Sequence, residues 1–309
     1  MINIDHWYEP RLKVQLAQIA STIAALSDSP EKDFLQVCLS VCCRQLSNAD
    51  PRLSVPVKMK VDHYPLGHVL RATISKKLAQ LDSVDAYDHF TDVSQALLRT
   101  ICSSPPPISF QRGRFLTDAL TIATSLPLDS VDLIITSPPY LGAQKYIRAS
   151  SLNLGWLGFA AGHQLRALEG RTIGREHFRK SEVSDLAPTG LRHADKLISS
   201  VAKENPLRAK IANAYITEMR TALFQMNQVL KPGGHVVLIA GNNHLCGRPF
   251  PTERYLRTVA QELGLEIRLR LVDTIKSRGL MTKRNKTADI ISREHVLLLR
   301  KAISVQEAR

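Results

Sequence analysis

The residues best suited to chemistry in this chain are four consecutive ones, Ser137-Pro138-Pro139-Tyr140. They directly follow an apolar run, Val131–Thr136, whose pattern is typical of a buried strand. Two successive prolines cannot continue a strand's hydrogen-bond ladder, so the chain is expected to turn at the carboxyl end of this strand. In open α/β sheets that end is where ligands bind. The turn therefore presents carbonyl oxygens, a hydroxyl and an aromatic ring to a crevice.

These groups suit methylation of the exocyclic amino group of a cytosine or adenine. That amino group is a poor nucleophile because its lone pair is delocalised into the ring, and acceptors that hold its two N–H bonds localise the pair. We assign this role to Ser137 Oγ and the Pro138 carbonyl. Tyr140 is expected to stack on a base flipped from the duplex, and Thr136 to lie beside the methyl of S-adenosylmethionine. Positioning and electrostatics would supply most of the acceleration. An incidental Pro-Pro turn is the alternative.

The first hundred residues carry apolar side chains at helical spacing. The spacing predicts four helices, at Leu12–Leu26, Glu31–Leu46, Leu66–Leu81 and Thr91–Ile101. Within this region Cys38 and Cys42 share a helix face, and we interpret them as buried thiols. The segment Trp7-Tyr8-Glu9-Pro10 has two open interpretations, which are an anchor for a partner subunit and plain packing. A stiff run of serine and proline at 103–107 then ends the helical region.

Strand and helix patterns alternate after this break, which indicates an α/β sheet. The predicted strands are Gly113–Asp118, Val131–Thr136, His235–Ala240, Leu265–Ile275 and Glu294–Lys301. The predicted helices are Pro206–Leu230, stopped by a Lys231–Gly234 turn, and Thr252–Leu263, capped by Thr252. The fold class expected is α/β, a partial Rossmann-like sheet behind an N-terminal helical subdomain. The domains expected are 1–102, a linker at 103–112, and 113–309 with a basic insertion at 141–205.

The net charge of +13 suits a polyanionic partner such as nucleic acid. An odd count of five cysteines without a Cys-x-x-Cys pair argues against a zinc ribbon or a disulfide scaffold. Three histidines, His235, His244 and His295, show no metal-ligand spacing, so no metal is expected. The sequence shows no apolar run of membrane-spanning length and no secretory signal, which predicts a cytoplasmic protein.

The motif and its surroundings resemble the amino-methylating DNA methyltransferases. The resemblance covers about Gly113–Lys301 and rests on the Ser137–Tyr140 motif, the apolar lead-in before it, the Lys231–Gly234 element and the final apolar strand. It implies S-adenosylmethionine as the methyl donor and double-stranded DNA as the substrate. The Ser form of the motif favours cytosine N4 over adenine N6. The resemblance also implies that Asp118 contacts the cofactor adenine, although a solvated turn acid is the alternative for that residue.

One departure from the family is large, because none of the 15 glycines forms the glycine-rich cofactor loop. The chain also stops after its last strand, so no permuted copy of the loop is expected to follow. In the family the loop strand pairs with the motif strand. Without it, Val131–Thr136 would be an exposed apolar edge, which natural proteins avoid. The resolution we favour is a heterodimeric enzyme whose partner subunit supplies the loop. The alternative is a catalytically inactive, DNA-binding or scaffolding subunit derived from such an enzyme.

Basic residues in two regions are candidates for DNA contact. The insertion contributes three of them, Arg148, Arg171 and Arg175, and the loop before the last strand contributes Lys283, Arg284 and Lys286. A solvated basic face and a mobile hairpin are the alternatives for these regions. The resemblance alone suggests a setting in restriction–modification or phage defence. Methylation of RNA or of a protein glutamine is a third reading, although Asn-Pro-Pro-Tyr is the usual motif for glutamine.

Overall fold

The computed structural model describes residues 3–105, 118–142, 145–276 and 291–303. Contacts divide the chain into two compact units: unit 1 is Met1–Gln111 with Lys145–Glu169, and unit 2 is Arg112–Gln144 with Gly170–Arg309. The first part of the insertion, expected within the second domain, thus groups with the N-terminal helices. Within the described ranges, no helix combines the length and the apolar character needed to cross a bilayer.

Unit 1 is helical. Its helices are α1 (Ile4–Trp7), α2 (Pro10–Ala24), α3 (Pro30–Gln45), α4 (Val69–Ser83), α5 (Ala86–Ser103), α6 (Tyr146–Ala149), α7 (Ser151–Trp156) and α8 (Leu165–Gly170), whose last residue belongs to unit 2. Helix α3 begins at Pro30, one residue before the predicted start, and Ser29 caps it because Ser29 Oγ accepts a hydrogen bond from the Lys32 N–H. The start predicted for α5 is wrong by five residues. Asp85 caps that helix by accepting from the N–H groups of Tyr87 and Asp88, a local bond that apolar spacing does not reveal.

The core of unit 1 joins the N-terminal helices to α7. Cys38 and Cys42 are fully buried, as predicted, and burial raises the pKa of the Cys42 thiol to about 12. Tyr8 is also buried, and its hydroxyl donates to the Cys43 carbonyl at 2.8 Å. The Tyr8 ring meets Trp156 of α7 edge to face at 5.4 Å. The Trp7–Pro10 segment therefore has a packing role in this unit.

Unit 2 is an α/β domain built on a four-stranded mixed sheet, which confirms the predicted fold class. Its strands are β1 (Val131–Thr136), β2 (Leu230–Gly241), β3 (Asn243–Leu245), β4 (Arg248–Phe250), β5 (Leu265–Thr274) and β6 (Arg293–Lys301). The spatial order is β1-β2-β6-β5, with β1 and β2 parallel and the other pairs antiparallel, while β3 and β4 form a separate hairpin. Its helices are α9 (Lys180–Val183), α10 (Arg192–Ala202), α11 (Pro206–Val229) and α12 (Thr252–Glu262).

One face of this sheet forms the core of unit 2. A row of paired residues, Ile134, Val236, Leu299 and Ile267, crosses the four strands on this face. Val236 and Leu299 have no exposed surface, and the two outer residues pack against the same core. The helices contribute the opposing side chains, among them Ile216, Leu223, Leu256 and Val259. The apolar face of α11 therefore covers this face of the sheet.

Two local predictions are wrong. Lys231–Gly234 is not a separate turn but the irregular start of β2. The pairing of β1 with β2 is irregular here: Val131 pairs with Leu230 and Leu133 pairs with His235, so two residues of β1 lie opposite five of β2. Only a glycine fits at Gly234, because a Cβ there would lie 2.9 Å from the Lys231 carbonyl. Thr252 does not cap α12 but begins it, and Pro251 occupies the cap position without a side-chain hydrogen bond.

Candidate active site

The segment Ser137–Tyr140 leaves the sheet at the carboxyl end of β1, where the sequence predicts a turn. Since β1 and β2 are parallel, their carboxyl ends lie at the same edge of the sheet. Pro138 is buried, Pro139 and Tyr140 are half-buried, and Ser137 is exposed. The prolines thus fix the loop while the serine side chain stays accessible at the edge.

Tyr140 is held against the ends of two strands. Its hydroxyl donates to Glu294 Oε1, at the start of β6. Its ring lies beside Gly241, the last residue of β2, where a Cβ would approach Tyr140 Cζ to 3.5 Å and Ile291 Cγ2 to 2.8 Å. Glycine at this position therefore lets the aromatic ring and Ile291 approach the strand end closely. Neither Glu294 nor Gly241 carries a sequence motif that predicts this role.

The rest of the loop is braced from two further sides. Gly174 has φ +77°, and a Cβ there would touch Pro139 Cβ and Tyr215 Cδ2, both at 3.6 Å. On the other side, Asn243 Nδ2 donates to the Leu141 carbonyl at 2.5 Å. The motif is therefore held by neighbours on both sides, as expected of a site that works by positioning.

The acceptor atoms assigned from the sequence have no hydrogen-bond partner in the described part of the chain. Among the described residues, no donor forms a hydrogen bond with Ser137 Oγ or with the Pro138 carbonyl. Ser137 Oγ, on an exposed residue, can therefore accept a hydrogen bond from a ligand, and the Pro138 carbonyl, on a buried residue, has its acceptor capacity unused. A neutral hydroxyl and a carbonyl suit an amino group better than they suit an anion.

A second polar network lies at the same end of the sheet. Asn242 Nδ2 donates to His295 Nε2 at 3.1 Å, and Asn242 Oδ1 accepts from the Glu253 N–H at 2.9 Å. The Glu253 carboxylate is nearly buried and pairs with Arg257 at 3.0 Å and Arg270 at 3.1 Å. Burial lowers the pKa of His295, so the neutral ring is favoured. The signal for this network was the Asn242-Asn243 pair immediately after an apolar strand, because a strand's carboxyl end is where polar ligand contacts collect.

Thr136 and Asp118 are the residues predicted to hold a cofactor. Thr136 is the last residue of β1, pairs with Leu238 and is half-buried. Asp118 Oδ1 accepts from the Leu120 N–H at 2.9 Å, which is the geometry of an acid that stabilises a turn. Its second oxygen, Oδ2, makes no hydrogen bond to another described residue. The strand predicted at Gly113–Asp118 otherwise lies outside the described residues.

The residues predicted to contact DNA have different surroundings. Arg171 of unit 2 is exposed. Arg175 is engaged within the protein, because it bonds to Glu218 at 2.8 Å and lies over the Phe178 ring at 4.6 Å. Arg148 belongs to unit 1 and lines a cavity there. The remaining three, Lys283, Arg284 and Lys286, lie outside the described residues.

Comparison with known proteins places the chain near DNA methyltransferases. No family model matches the sequence. The chain is 25% identical over 171 residues to the Type II methyltransferase M.AvaI of Nostoc sp., and equally so to that of Anabaena variabilis. The match covers 51% of this chain and 36% of the relative, so the chain spans about a third of the relatives' length.

Solved structures give a weaker likeness. The protein TTHA0409 of Thermus thermophilus, provisionally named a DNA modification methylase, is 16% identical, with a TM-score of 0.32 over 61% of this chain and 53% of that one. The same protein complexed with S-adenosyl-L-methionine is 17% identical, with a TM-score of 0.30 over 60% of this chain and 52% of that one. The sequence match to M.AvaI is thus the finding that links this chain to a methyltransferase.

Proposed function

We propose that this chain is the motif-bearing subunit of a DNA methyltransferase, which transfers a methyl group from S-adenosylmethionine to a base amino group, with cytosine N4 favoured. The observation on which the proposal rests is the Ser137-Pro138-Pro139-Tyr140 loop at the carboxyl end of β1, whose serine is exposed and whose two acceptor atoms have no partner among the described residues. The similarity to the Type II methyltransferase M.AvaI supports the same assignment.

In the proposed reaction the loop binds the target amino group. Ser137 Oγ and the Pro138 carbonyl accept its two hydrogen bonds and localise the nitrogen lone pair. Tyr140 stacks on the base, and its hydroxyl bond to Glu294 fixes the ring plane. The amino nitrogen becomes more nucleophilic without a general base, because the charge that develops on it is held by prearranged dipoles. The proton that the nitrogen loses after methylation passes to solvent at this exposed edge.

The residues of this chain fit the methyl donor only in part. When bound, S-adenosylmethionine supplies an electrophilic methyl on a sulfonium. Asp118 and Thr136 offer a carboxylate and a hydroxyl, which suit the donor's polar and cationic groups. Among the described residues there is no glycine-rich turn whose backbone N–H groups would hold the donor's own carboxylate. This partial fit supports a partner subunit that supplies the remaining contacts.

The edge of the sheet also favours a partner. Among the described strands, β1 is an edge strand, and Leu133 and Ile135 on it are 52% and 68% exposed. Ile135 begins a row of paired apolar residues that crosses the sheet through Val237 and Leu298 to Leu269. Leu269, at the far end of this row, is 47% exposed. An apolar edge beside a thinly covered face is a surface that monomeric proteins avoid. A strand and helix from a partner subunit would cover both surfaces.

Calorimetry of S-adenosylmethionine binding tests the proposal, first on the chain alone and then with a co-purifying or gene-adjacent protein. We expect binding only with the partner. Tight binding by the chain alone would show that it carries its own cofactor loop. Absence of binding in both cases would favour a non-enzymatic DNA-binding subunit. The Ser137→Ala variant is the control, since it should bind the cofactor as the native chain does.

A further inference from the structure

Unit 1 contains a cavity of about 560 Å³ that is outside the site described above. It lies between α1, the segment from Asp50 to Tyr64, and α6. Its volume is within the range of about 300–1,000 Å³ that is common for small-molecule sites. All of its lining residues belong to unit 1. The cavity is therefore a property of this unit by itself.

Two half-buried aromatic side chains, Trp7 and Tyr64, line the cavity together with apolar Met59 and Ile74. Tyr64 is held in place, because its ring stacks on His68 at 5.0 Å and its carbonyl accepts from Arg71 Nη1 at 2.8 Å. The Trp7 carbonyl accepts from the Asn48 N–H at 2.7 Å. The cavity is therefore lined by two aromatic side chains, which are the kind of surface on which a planar ring can stack.

The charge of the lining is positive. Lys58, Lys60 and Arg148 contribute three cations, and within the described part of the chain no carboxylate lies within ion-pair distance of them. Asp50 is the acid of the lining, and Arg52 neutralises it through contacts of 2.9 and 2.6 Å. Arg52 also lowers the pKa of the Asp50 carboxyl, which therefore stays ionised and paired. The three cations are thus available to an anionic ligand.

From the juxtaposition of the aromatic pair Trp7 and Tyr64 with the cations Lys58, Lys60 and Arg148, we infer that this cavity binds a nucleotide. The aromatic rings stack on the base, and the three cations hold its phosphate and the neighbouring phosphates of the strand. An apolar ligand would leave the cations unused, and a bare phosphate would leave the aromatic walls unused. A base can enter the cavity only when it is not stacked in a duplex. The ligand that we assign is therefore a nucleotide of single-stranded DNA or one extruded from a duplex. The choice of DNA rests on the proposed function, whereas the nucleotide chemistry rests on the cavity.

Tryptophan fluorescence tests this inference without a methylation assay. The chain has two tryptophans, so Trp156→Phe leaves Trp7 as the reporter. The probes are a single-stranded oligodeoxynucleotide of twelve residues and deoxyadenosine monophosphate. We expect saturable quenching by the oligonucleotide and binding weaker by tenfold or more for the monophosphate, which lacks neighbouring phosphates. Circular dichroism of the Trp156→Phe chain verifies its fold.

Two variants of the Trp156→Phe chain test the cationic and the aromatic residues that line the cavity. Lys58→Ala/Lys60→Ala/Arg148→Ala should lower the salt slope of oligonucleotide binding by about 2, at roughly 0.7 per phosphate contact. Tyr64→Leu should weaken binding about tenfold by removing a stacking surface. The matched control is Lys76→Ala/Lys77→Ala/Arg99→Ala, which removes equal charge from α4 and α5 outside the cavity and should change the slope less.

Three outcomes would overturn the inference or part of it. Absence of quenching by both probes rules out a nucleotide site, and so does equal loss of binding in the two triple variants. Equal affinity for both probes would keep the nucleotide chemistry but assign a free nucleotide as the ligand. Calorimetry of S-adenosylmethionine binding tests the proposed methyltransferase function, whereas tryptophan fluorescence tests the nucleotide cavity. Either proposal can therefore fail without the other.

Discussion

Ser137 is the residue for which sequence pattern and structure agree most directly. The sequence assigns its hydroxyl as an acceptor, and the structure leaves it exposed and without a hydrogen bond to the described residues. Its neighbours Pro138 and Pro139 are packed, so the serine cannot move far from the strand end. A rigid loop with an accessible acceptor is what positioning catalysis requires.

The Ser137→Ala variant should lower single-turnover methyl transfer by about a hundredfold, comparable to removing one prearranged polar contact to a developing charge. DNA affinity should change by less than threefold, because a small hydroxyl contributes little to binding the phosphate backbone. Ser125→Ala, at an exposed position of the same unit, is the control. Unchanged turnover in Ser137→Ala would remove this hydroxyl from the mechanism. The assay is measured with the partner present.

His295 shows how a residue without a role in the sequence acquires one in the fold. It is 7% exposed, accepts from Asn242, and has no partner for Nδ1 among the described residues. Burial lowers its pKa, while Glu253 opposes the shift and Arg270 and Arg293 add to it. The folded protein therefore favours the neutral ring.

The resulting pH dependence has a definite sign. Because the folded pKa lies below the unfolded value of about 6.5, the unfolded chain binds more protons as pH falls, and unit 2 should lose stability below that value. Urea unfolding between pH 8 and pH 5 measures the effect. His295→Gln should keep a bond from Asn242 and flatten the dependence. An equally steep loss in that variant would assign it to other groups.

At the scale of elements, the proposed partner subunit depends on the position of β1 at the edge of the sheet. The Val131–Thr136 boundaries are as predicted, yet the strand is an edge of the described sheet and half of its side chains are exposed. The apolar pattern could not distinguish a strand that is buried within this chain from one that is buried against another. Both produce the same run of valine, leucine and isoleucine.

Charged substitutions on β1 test the role of this edge. Leu133→Lys/Ile135→Lys should change the unfolding free energy of the chain by less than about 1 kcal/mol, because both side chains already contact solvent. The double variant should lose association with the partner in size-exclusion chromatography. Leu128→Lys, 60% exposed and outside the strands, should keep it. Wild-type association by the double variant would exclude this edge as the interface.

At the scale of the whole molecule, the two units divide the predicted DNA contacts between them. Arg148 belongs to unit 1, Arg171 belongs to unit 2, and Arg175 is bonded to Glu218. The sequence presented these arginines as one basic insertion. Charge counting along the chain cannot separate a cation used in an internal ion pair from one left for a ligand, because the acid partner, Glu218, is 43 residues away.

The sequence by itself determined the fold class, the position of the motif and the chemistry of its side chains. Strand and helix periods, proline geometry and hydroxyl chemistry are local properties, so Val131–Tyr140 could be read from ten residues. Tertiary structure alone decided the support of Tyr140 by Glu294, the His295 network, the open edge of β1 and the charged aromatic cavity around Trp7 and Arg148. Each of these joins residues distant in sequence, and such contacts are selected by the packing of the whole core rather than by local preference.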